Sequence, residues 1–160
     1  MGRMAGSIRN RLMAGMVAAS ALLLGGPGFP SPARAAEAGS AVDLDLTFHV
    51  HKFPTGALMV AVFDSETAYA SGEKPVAALR LEVKGDTVHT VVPGLKAGRY
   101  AIKMFHDLNG SGKLTLNMFG IPTEPVAFSN NAKINMRAPN WTETAFALAP
   151  GAGSQSIDID

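Results

Sequence analysis

The chain contains no cysteine, and this absence excludes both a disulfide framework and a lipid-modified cysteine. It has no run of Lys or Arg and no amphipathic basic helix, which argues against nucleic acid as a partner and against insertion of the mature chain into a membrane. It also lacks internal repeats and low-complexity tracts. Stability must therefore come from apolar packing, with a bound ion as the one available addition.

Only one long apolar run is present, at residues 12–24, and it is too short to span about 30 Å of hydrocarbon. Three arginines and no acid precede this run, and the small-x-small triplet Ala33-Arg34-Ala35 follows it. This order of features predicts a secretory signal peptide over residues 1–35, removed before Ala36. We therefore expect a mature protein in the periplasm or outside the cell.

Residues 36–160 are enough for a single exported domain with one hydrophobic core. Loss of the first 35 residues leaves ten Lys and Arg against thirteen Asp and Glu, a formal charge of about −3. An acidic domain of this kind gives no electrostatic reason to bind a phosphate backbone.

Short segments of alternating or fully apolar residues dominate the mature chain. Val42 to Val50 alternates strictly with polar residues, whereas Ala57 to Phe63 is apolar on both faces and predicts a central strand. Further strands are expected at 77–84, 87–92, 99–105, 145–148 and 157–160, and Gly85-Asp86 predicts a hairpin between the first two of these. The pattern predicts an all-β fold: one antiparallel β-sandwich, immunoglobulin-like or transthyretin-like, of about seven strands and one long Asn/Gly-rich loop, with a β-barrel as the alternative.

Three local signals add detail to this fold. The segment Asp64-Ser65-Glu66-Thr67 fits a helix N-cap and predicts one short helical turn that ends before Gly72. Tyr100, just after Gly98, resembles the tyrosine corner of Greek-key sandwiches, whose hydroxyl binds backbone a few residues upstream. Trp141 is expected to cover the core, the alternative being an exposed anchor for a partner.

The long loop holds the candidate site, because the region from His106 to Trp141 contains every asparagine except Asn10. Counted from Asp107, oxygen-bearing side chains occupy the first, third, fifth and ninth positions, and a glycine the sixth, as in the first half of an EF-hand calcium loop. The candidate metal ligands are Asp107, Asn109, Ser111 and Thr115. Met118 stands where a bidentate Glu is needed, so the predicted affinity is weak, about 10⁻⁴ to 10⁻³ M. The alternative without a metal is that the same residues make Asx turns and positive-φ glycines.

Two other arrangements of polar residues suggest catalysis or metal binding. His106 beside Asp107, with Ser129 as a conceivable nucleophile, would suit a small periplasmic hydrolase. However, adjacent residues on a strand point to opposite faces, so His106 is expected instead to fix the loop by hydrogen bonding. His49 and His51 lie on one strand face and could bind zinc or copper, but a solvated strand face is the interpretation that the sequence favours.

Three spaced motifs carry a family resemblance. They are Gly98-x-Tyr100-Ala101-Ile102-x-x-Phe105-His106-Asp107-x-Asn109-Gly110-Ser111-Gly112-Lys113-Leu114, then Gly120-Ile121-Pro122-x-Glu124, then Phe128-Ser129-Asn130-Asn131-Ala132. Together they resemble an uncharacterised family of small exported bacterial proteins, a domain of unknown function. The resemblance implies a periplasmic or secreted β-sandwich without an established activity, substrate or cofactor. Family members often carry an acid where this chain has Thr115, a departure that weakens the calcium pattern here.

These observations favour a non-enzymatic binding or interaction domain whose loop, residues 106–124, forms the site. The expected binding residues are His106, Asp107, Asn109, Glu124, Asn130 and Asn131. The partner is an unidentified protein or small ligand, calcium is the one cofactor suggested, and the oligomeric state is left open. The alternatives are the hydrolase that uses His106 and Asp107, and a purely structural envelope protein.

Overall fold

The computed structural model describes residues 41–160, so the predicted signal peptide, residues 1–35, lies outside the described residues. Eight strands form two sheets: β1 Ala41–Val50, β2 Ala57–Phe63, β3 Ala77–Glu82, β4 Thr87–Lys96, β5 Gly98–Asp107, β6 Val126–Phe128, β7 Phe146–Leu148 and β8 Gly153–Ile159. Two short helices, α1 Glu66–Ser71 and α2 Trp141–Thr144, and a 3₁₀ turn, Ser129–Asn131, lie between strands. The all-β, sandwich-like architecture is thus confirmed, with one strand more than predicted.

The smaller sheet has the order β4-β1-β8, and the larger has the order β3-β2-β5-β6, with β7 also paired to β5. β2 is central, as its two apolar faces predicted. Alternating side chains of both sheets form the core between them. Its fully buried members include Leu44, Leu46, Phe48 and Ile157 from the smaller sheet and Leu58, Val62 and Ile102 from the larger sheet.

The predicted hairpin at Gly85-Asp86 is wrong, because β3 and β4 belong to different sheets. The amide of Val83 donates to the carbonyl of Gly56 at 2.9 Å, next to the β3–β2 pairing. At the second residue of the turn, the carbonyl of Asp86 accepts from the amide of Val50 at 2.8 Å, next to the β1–β4 pairing. The two-residue turn therefore carries the chain across the core from one sheet to the other.

The prediction of a wholly antiparallel sandwich is also wrong at one position, since β8 runs parallel to β1 from Leu44–Gly153 to Val50–Ile159. The preceding strand, β7, belongs to the larger sheet, so the chain changes sheets before β8 begins. No hairpin turn then dictates the direction of β8. Its alternating Ile157 and Ile159 enter the core in this parallel arrangement.

Local predictions fared better. The hydroxyl of Ser65 caps α1 by accepting from the amide of Ala68, and Gly72 ends the helix with φ of 73°. The hydroxyl of Tyr100 donates to the carbonyl of Lys96 at 2.8 Å, which confirms the tyrosine corner. Within residues 41–160, neither helix has the length and apolar character that crossing a membrane requires.

Candidate functional site

The outer face of the larger sheet, turned away from the core, is largely apolar. Residues that pair directly across neighbouring strands share a face, so the strand register gives two rows of side chains. One row consists of Arg80, Met59, Phe105 and Val126, and the next consists of Ala78, Ala61, Lys103 and Phe128. This face would normally carry polar side chains if water covered it.

One end of this face is covered by the two helices. Phe63 and Ala101 are buried there beneath Tyr69 of α1, and Trp141 of α2 packs against the same cluster. The rings of Tyr69 and Trp141 meet edge to face with centroids 6.0 Å apart. Trp141 therefore packs on a separate apolar cluster outside the sandwich and not on the core that it was predicted to cover.

The rest of the face is the floor of an open cavity of about 870 Å³, hereafter the sheet-face cavity. Two loops form its walls, 108–125 after β5 and 132–140 after the 3₁₀ turn. They contribute Leu114, Gly120, Ile121, Pro122, Ile134, Met136, Arg137 and Ala138. A volume of this size is in the range of small-molecule sites, about 300 to 1,000 Å³.

Several wall residues are apolar and exposed. Ile134 is 51% exposed, Ile121 is 58% exposed, and Met136 is fully exposed. Each square ångström of apolar surface that a ligand removes from water contributes on the order of 25 cal/mol. Covering these exposed side chains with an apolar molecule would therefore be favourable.

The charged side chains that line the cavity all have one sign. In the described part of the chain they are Arg80, Lys103 and Arg137, with no acidic side chain among the lining residues. Arg80 is paired with Glu82, and Arg137 with Glu143 at 2.7 Å. Lys103 has no carboxylate within 4.0 Å among residues 41–160, which distinguishes it from the two arginines.

Lys103 lies between the cavity and the aromatic cluster. Its ammonium donates to the carbonyl of Tyr69 at the C-terminal end of α1 and stands 4.1 Å from the centroid of the Tyr69 ring. The ring of Phe63 lies 5.8 Å away. Burial against these apolar groups lowers the pKa of Lys103, because desolvation disfavours the charged form.

The predicted calcium residues form a loop closed by backbone amides. The two carboxylate oxygens of Asp107 accept from the amides of Ser111 and Gly112, at 3.1 and 2.9 Å. The side-chain oxygen of Asn109 accepts from the Ser111 amide at 2.8 Å, and its amide nitrogen donates to the hydroxyl of Thr115. The contact between Asn109 and Ser111 is that of an Asx turn, whereas Asp107 accepts from amides four and five residues further on. No cluster of three or more His, Cys, Asp or Glu side chains suited to a metal occurs in residues 41–160.

Glu124 joins the two ends of the same loop. Its carboxylate is buried and accepts from the amide of Leu108 at 3.2 Å and from the amide of Thr115 at 3.0 Å. Both acids, Asp107 and Glu124, are thus directed toward backbone donors. Of the predicted binding residues in this loop, Asn109 alone is exposed.

His106 and Asp107 are placed on opposite faces of β5. His106 pairs with Leu58, a core residue, so its imidazole points between the two sheets and is fully buried. Its Nε2 lies 2.6 Å from the carbonyl oxygen of Thr55, which can only accept, so this nitrogen carries the hydrogen. Nδ1 has no hydrogen-bond partner among the described residues.

Ser129 lies far from His106. Its hydroxyl accepts from the amide of Ile102 at 2.9 Å and donates to the carbonyl of Thr144 at 2.7 Å. Ile102 is four residues before His106 on an extended strand, a separation of about 13 Å at 3.3 Å per residue. The structure therefore does not bring the two residues of the imagined triad together.

Asn130 and Asn131 connect the two sheets. The side-chain amide of Asn130 donates to the carbonyls of Glu143 and Ala145, and the side-chain oxygen of Asn131 accepts from the amide of Asp158 in β8 at 2.8 Å. Both asparagines have positive φ, 58° and 51°. Their hydrogen bonds hold the turn after β6 against α2 and β8.

The four histidines are dispersed. Besides His106, His49 contacts the hydroxyl of Ser156 at 3.1 Å, His51 contacts Asp158 at 3.1 Å and His89 contacts Asp45 at 3.6 Å. Each of these three contacts is exposed and lies on the smaller sheet, the one of His51 just beyond the end of β1. The solvated strand face was the alternative that the sequence left for them.

The sheet-face cavity was not among the predicted sites. Its signals were present: β2 is apolar on both faces, yet no segment with helical periodicity was available to cover the outer one. The two loops also carry isolated large apolar residues, such as Ile121 and Met136, among polar neighbours. Placing both loops beside β2 requires the tertiary fold.

Comparison with known proteins identifies the family. A family model described as an uncharacterised protein conserved in bacteria, DUF2141, matches residues 49–157, from the end of β1 into β8. No curated protein and no solved structure matches the chain. Because the family match spans more than half of the chain, the protein belongs to DUF2141, a family of uncharacterised proteins conserved in bacteria, as the three motifs suggested.

Proposed function

We propose that this protein is a non-enzymatic binding protein, exported to the periplasm or the exterior, that holds a small apolar molecule in the sheet-face cavity. The observation that carries the proposal is the apolar outer face of the larger sheet, left uncovered between two loops with exposed apolar side chains. Large exposed apolar patches on a soluble domain usually mark interaction sites. The sequence features of residues 1–35 support export.

Ala78 offers a direct test, because it is an exposed residue on the edge strand β3 and lines the cavity. Ala78→Phe should occupy part of the cavity without disturbing the core. We expect the mature domain to bind Nile red, a neutral apolar dye, and Ala78→Phe to weaken this binding at least about tenfold. Dye fluorescence measures both affinities.

The matched control is Ala147→Phe, which places the same side chain at an exposed alanine of β7 that does not line the cavity. It should bind the dye like the parent domain. Equal affinity of all three proteins would show that the dye binds elsewhere. Absence of binding by the parent domain would count against the proposal and would favour the structural alternative.

A calcium ion in the loop 106–124 stays a second prediction. It is supported by two buried carboxylates, Asp107 and Glu124, that form no ion pair within residues 41–160. If calcium binds with a Kd of about 0.1 mM, then about 10 mM calcium should stabilise the domain by about 2.7 kcal/mol relative to EDTA. Thermal unfolding measures the shift, and Asp107→Ala should abolish it; an unchanged melting temperature in the parent domain would rule the ion out.

The hydrolase alternative receives less support from the contacts of its residues. His106 is directed into the core and bonded to Thr55, and Asp107 is bonded to the amides of its own loop. A general base must lie within hydrogen-bond reach of the proton that it removes. We therefore do not propose catalysis by this pair.

A further inference from the structure

Lys103 differs from every other cation around the sheet-face cavity in having no acidic partner among residues 41–160. An ammonium carries three N–H donors, and one of them is used by the carbonyl of Tyr69. The hydrogen bonds within residues 41–160 provide no acceptor for the other two. A half-buried ammonium with unused donors at an open cavity can pair with an anion that enters it.

The position of Lys103 in the register makes this anion part of a larger ligand. Lys103 lies in the row beside Ala61 and Phe128, and the next row along the sheet places Met59 and Phe105 one step farther from the aromatic cluster. A molecule lying along the floor would thus meet the ammonium near one end and uncharged apolar side chains beyond it. The lining residues offer no acid that would repel a negative charge there.

We propose that the ligand of the sheet-face cavity is an amphipathic anion, an inference that rests on the proposed function. Its anionic group pairs with the Lys103 ammonium and its apolar part covers Met59 and Phe105. A carboxylate on an aliphatic chain has this chemistry. Pairing with the anion also opposes the lowering of the Lys103 pKa, because a neighbouring negative charge favours the protonated amine.

Three ligands that share one chain test the inference: dodecanoate, dodecanol and dodecyltrimethylammonium, each kept below its micelle-forming concentration. At about pH 8 the carboxylate is ionised and the parent domain should prefer dodecanoate over dodecanol about tenfold, with the cation weakest. Calorimetry measures the affinities. Quenching or enhancement of Trp141, the single tryptophan, reports binding near Lys103 because Trp141 packs on the same cluster.

Lys103→Met keeps a long apolar side chain and removes the charge. It should lose the preference for dodecanoate while its affinity for dodecanol stays within about twofold of the parent value. A lysine that only caps α1 would not discriminate between the acid and the alcohol. Lys96→Met, an exposed lysine on β4 in the other sheet, is the control and should keep the preference.

Each outcome bears on one proposal. Equal affinity of the parent domain for dodecanoate and dodecanol would overturn the proposal that the ligand is an anion paired with Lys103, and so would a preference for dodecanoate that survives in Lys103→Met. Either result leaves the proposed apolar site intact. Failure of the parent domain to bind any of the three chains, together with Nile red, overturns the proposed function itself. If Lys103→Met does not fold, Lys103→Gln and the ranking of the three ligands by the parent domain decide the same question.

Discussion

Gly56 shows at the scale of one residue how tightly the start of β2 is held against the end of β5. Its φ is +91°, and a Cβ added there would lie 2.6 Å from the carbonyl oxygen of Asp107 and 3.3 Å from Nε2 of His106. The obstructing oxygen is backbone and cannot move aside alone. Glycine is therefore required both by conformation and by space.

Replacement of Gly56 by alanine should destabilise the domain by about 2 to 3 kcal/mol, because it combines a left-handed backbone with a close backbone contact. Urea unfolding measures the change. Gly85→Ala is the control, since a Cβ there meets nothing within 4 Å and Gly85 has no positive φ. Equal midpoints for the two variants would contradict this account.

His106 illustrates what can be predicted about a single residue and what cannot. It was predicted to point away from Asp107 and to fix the asparagine-rich loop by hydrogen bonding. It does lie on the face of β5 opposite Asp107, but its hydrogen bond is to Thr55, in the connection between β1 and β2. Thr55 is 51 positions earlier in the chain. Period-two alternation predicts the face of a side chain, whereas its partner depends on which strands become neighbours.

At the scale of elements, Ser129 supplies a hydrogen bond to the edge of β5 between its two short partner strands. β6 pairs with residues 103–105 of β5 and β7 with residues 98–100, so the amide of Ile102 falls between the two short strands. The Ser129 hydroxyl accepts from that amide and donates to Thr144, just before β7. One side chain thus replaces a missing ladder hydrogen bond.

Ser129→Ala should therefore cost about 1 to 3 kcal/mol, because it leaves a buried amide and a buried carbonyl without partners. Chemical unfolding followed by circular dichroism gives the value. Ser154→Ala, at an exposed serine of β8, should change stability by less than about 0.5 kcal/mol. A neutral result for Ser129→Ala would mean that water satisfies both groups.

The secondary-structure elements differ in how far residues close in sequence determine their structure. The cap of α1 and the tyrosine corner depend on residues at most four positions apart, and both were predicted correctly. The turn at Gly85-Asp86 has the composition of a hairpin turn yet joins two sheets. Turn residues allow a change of direction, but the pairing partners of β3 and β4 determine where each strand goes.

At the scale of the whole molecule, the two sheets share one core. Residues of the smaller sheet, such as Leu44, and of the larger sheet, such as Ile102, belong to the same buried cluster. Without disulfides, this cluster and the backbone ladders hold the domain together. Loss of packing in one sheet should therefore weaken both.

Leu44→Ala should lower the free energy of unfolding by about 2 to 5 kcal/mol, since Leu44 is fully buried. Circular dichroism and Trp141 fluorescence should show the same shifted midpoint, because Trp141 reports on the far side of the other sheet and a single domain unfolds cooperatively. Val91→Ala, at a partly exposed valine of the smaller sheet, is the control. Two separate transitions would contradict the shared core.

The sequence by itself determined the class of secondary structure, the face that each strand buries and the capped helix. These features follow from alternation and from hydrogen bonds between residues close in the chain. Only the tertiary structure decided the parallel pairing of β8, the crossing between sheets and the sheet-face cavity, where Lys103 has no acidic partner among residues 41–160. These arise where segments far apart in sequence meet, and their pairing is set by the packing of the whole core.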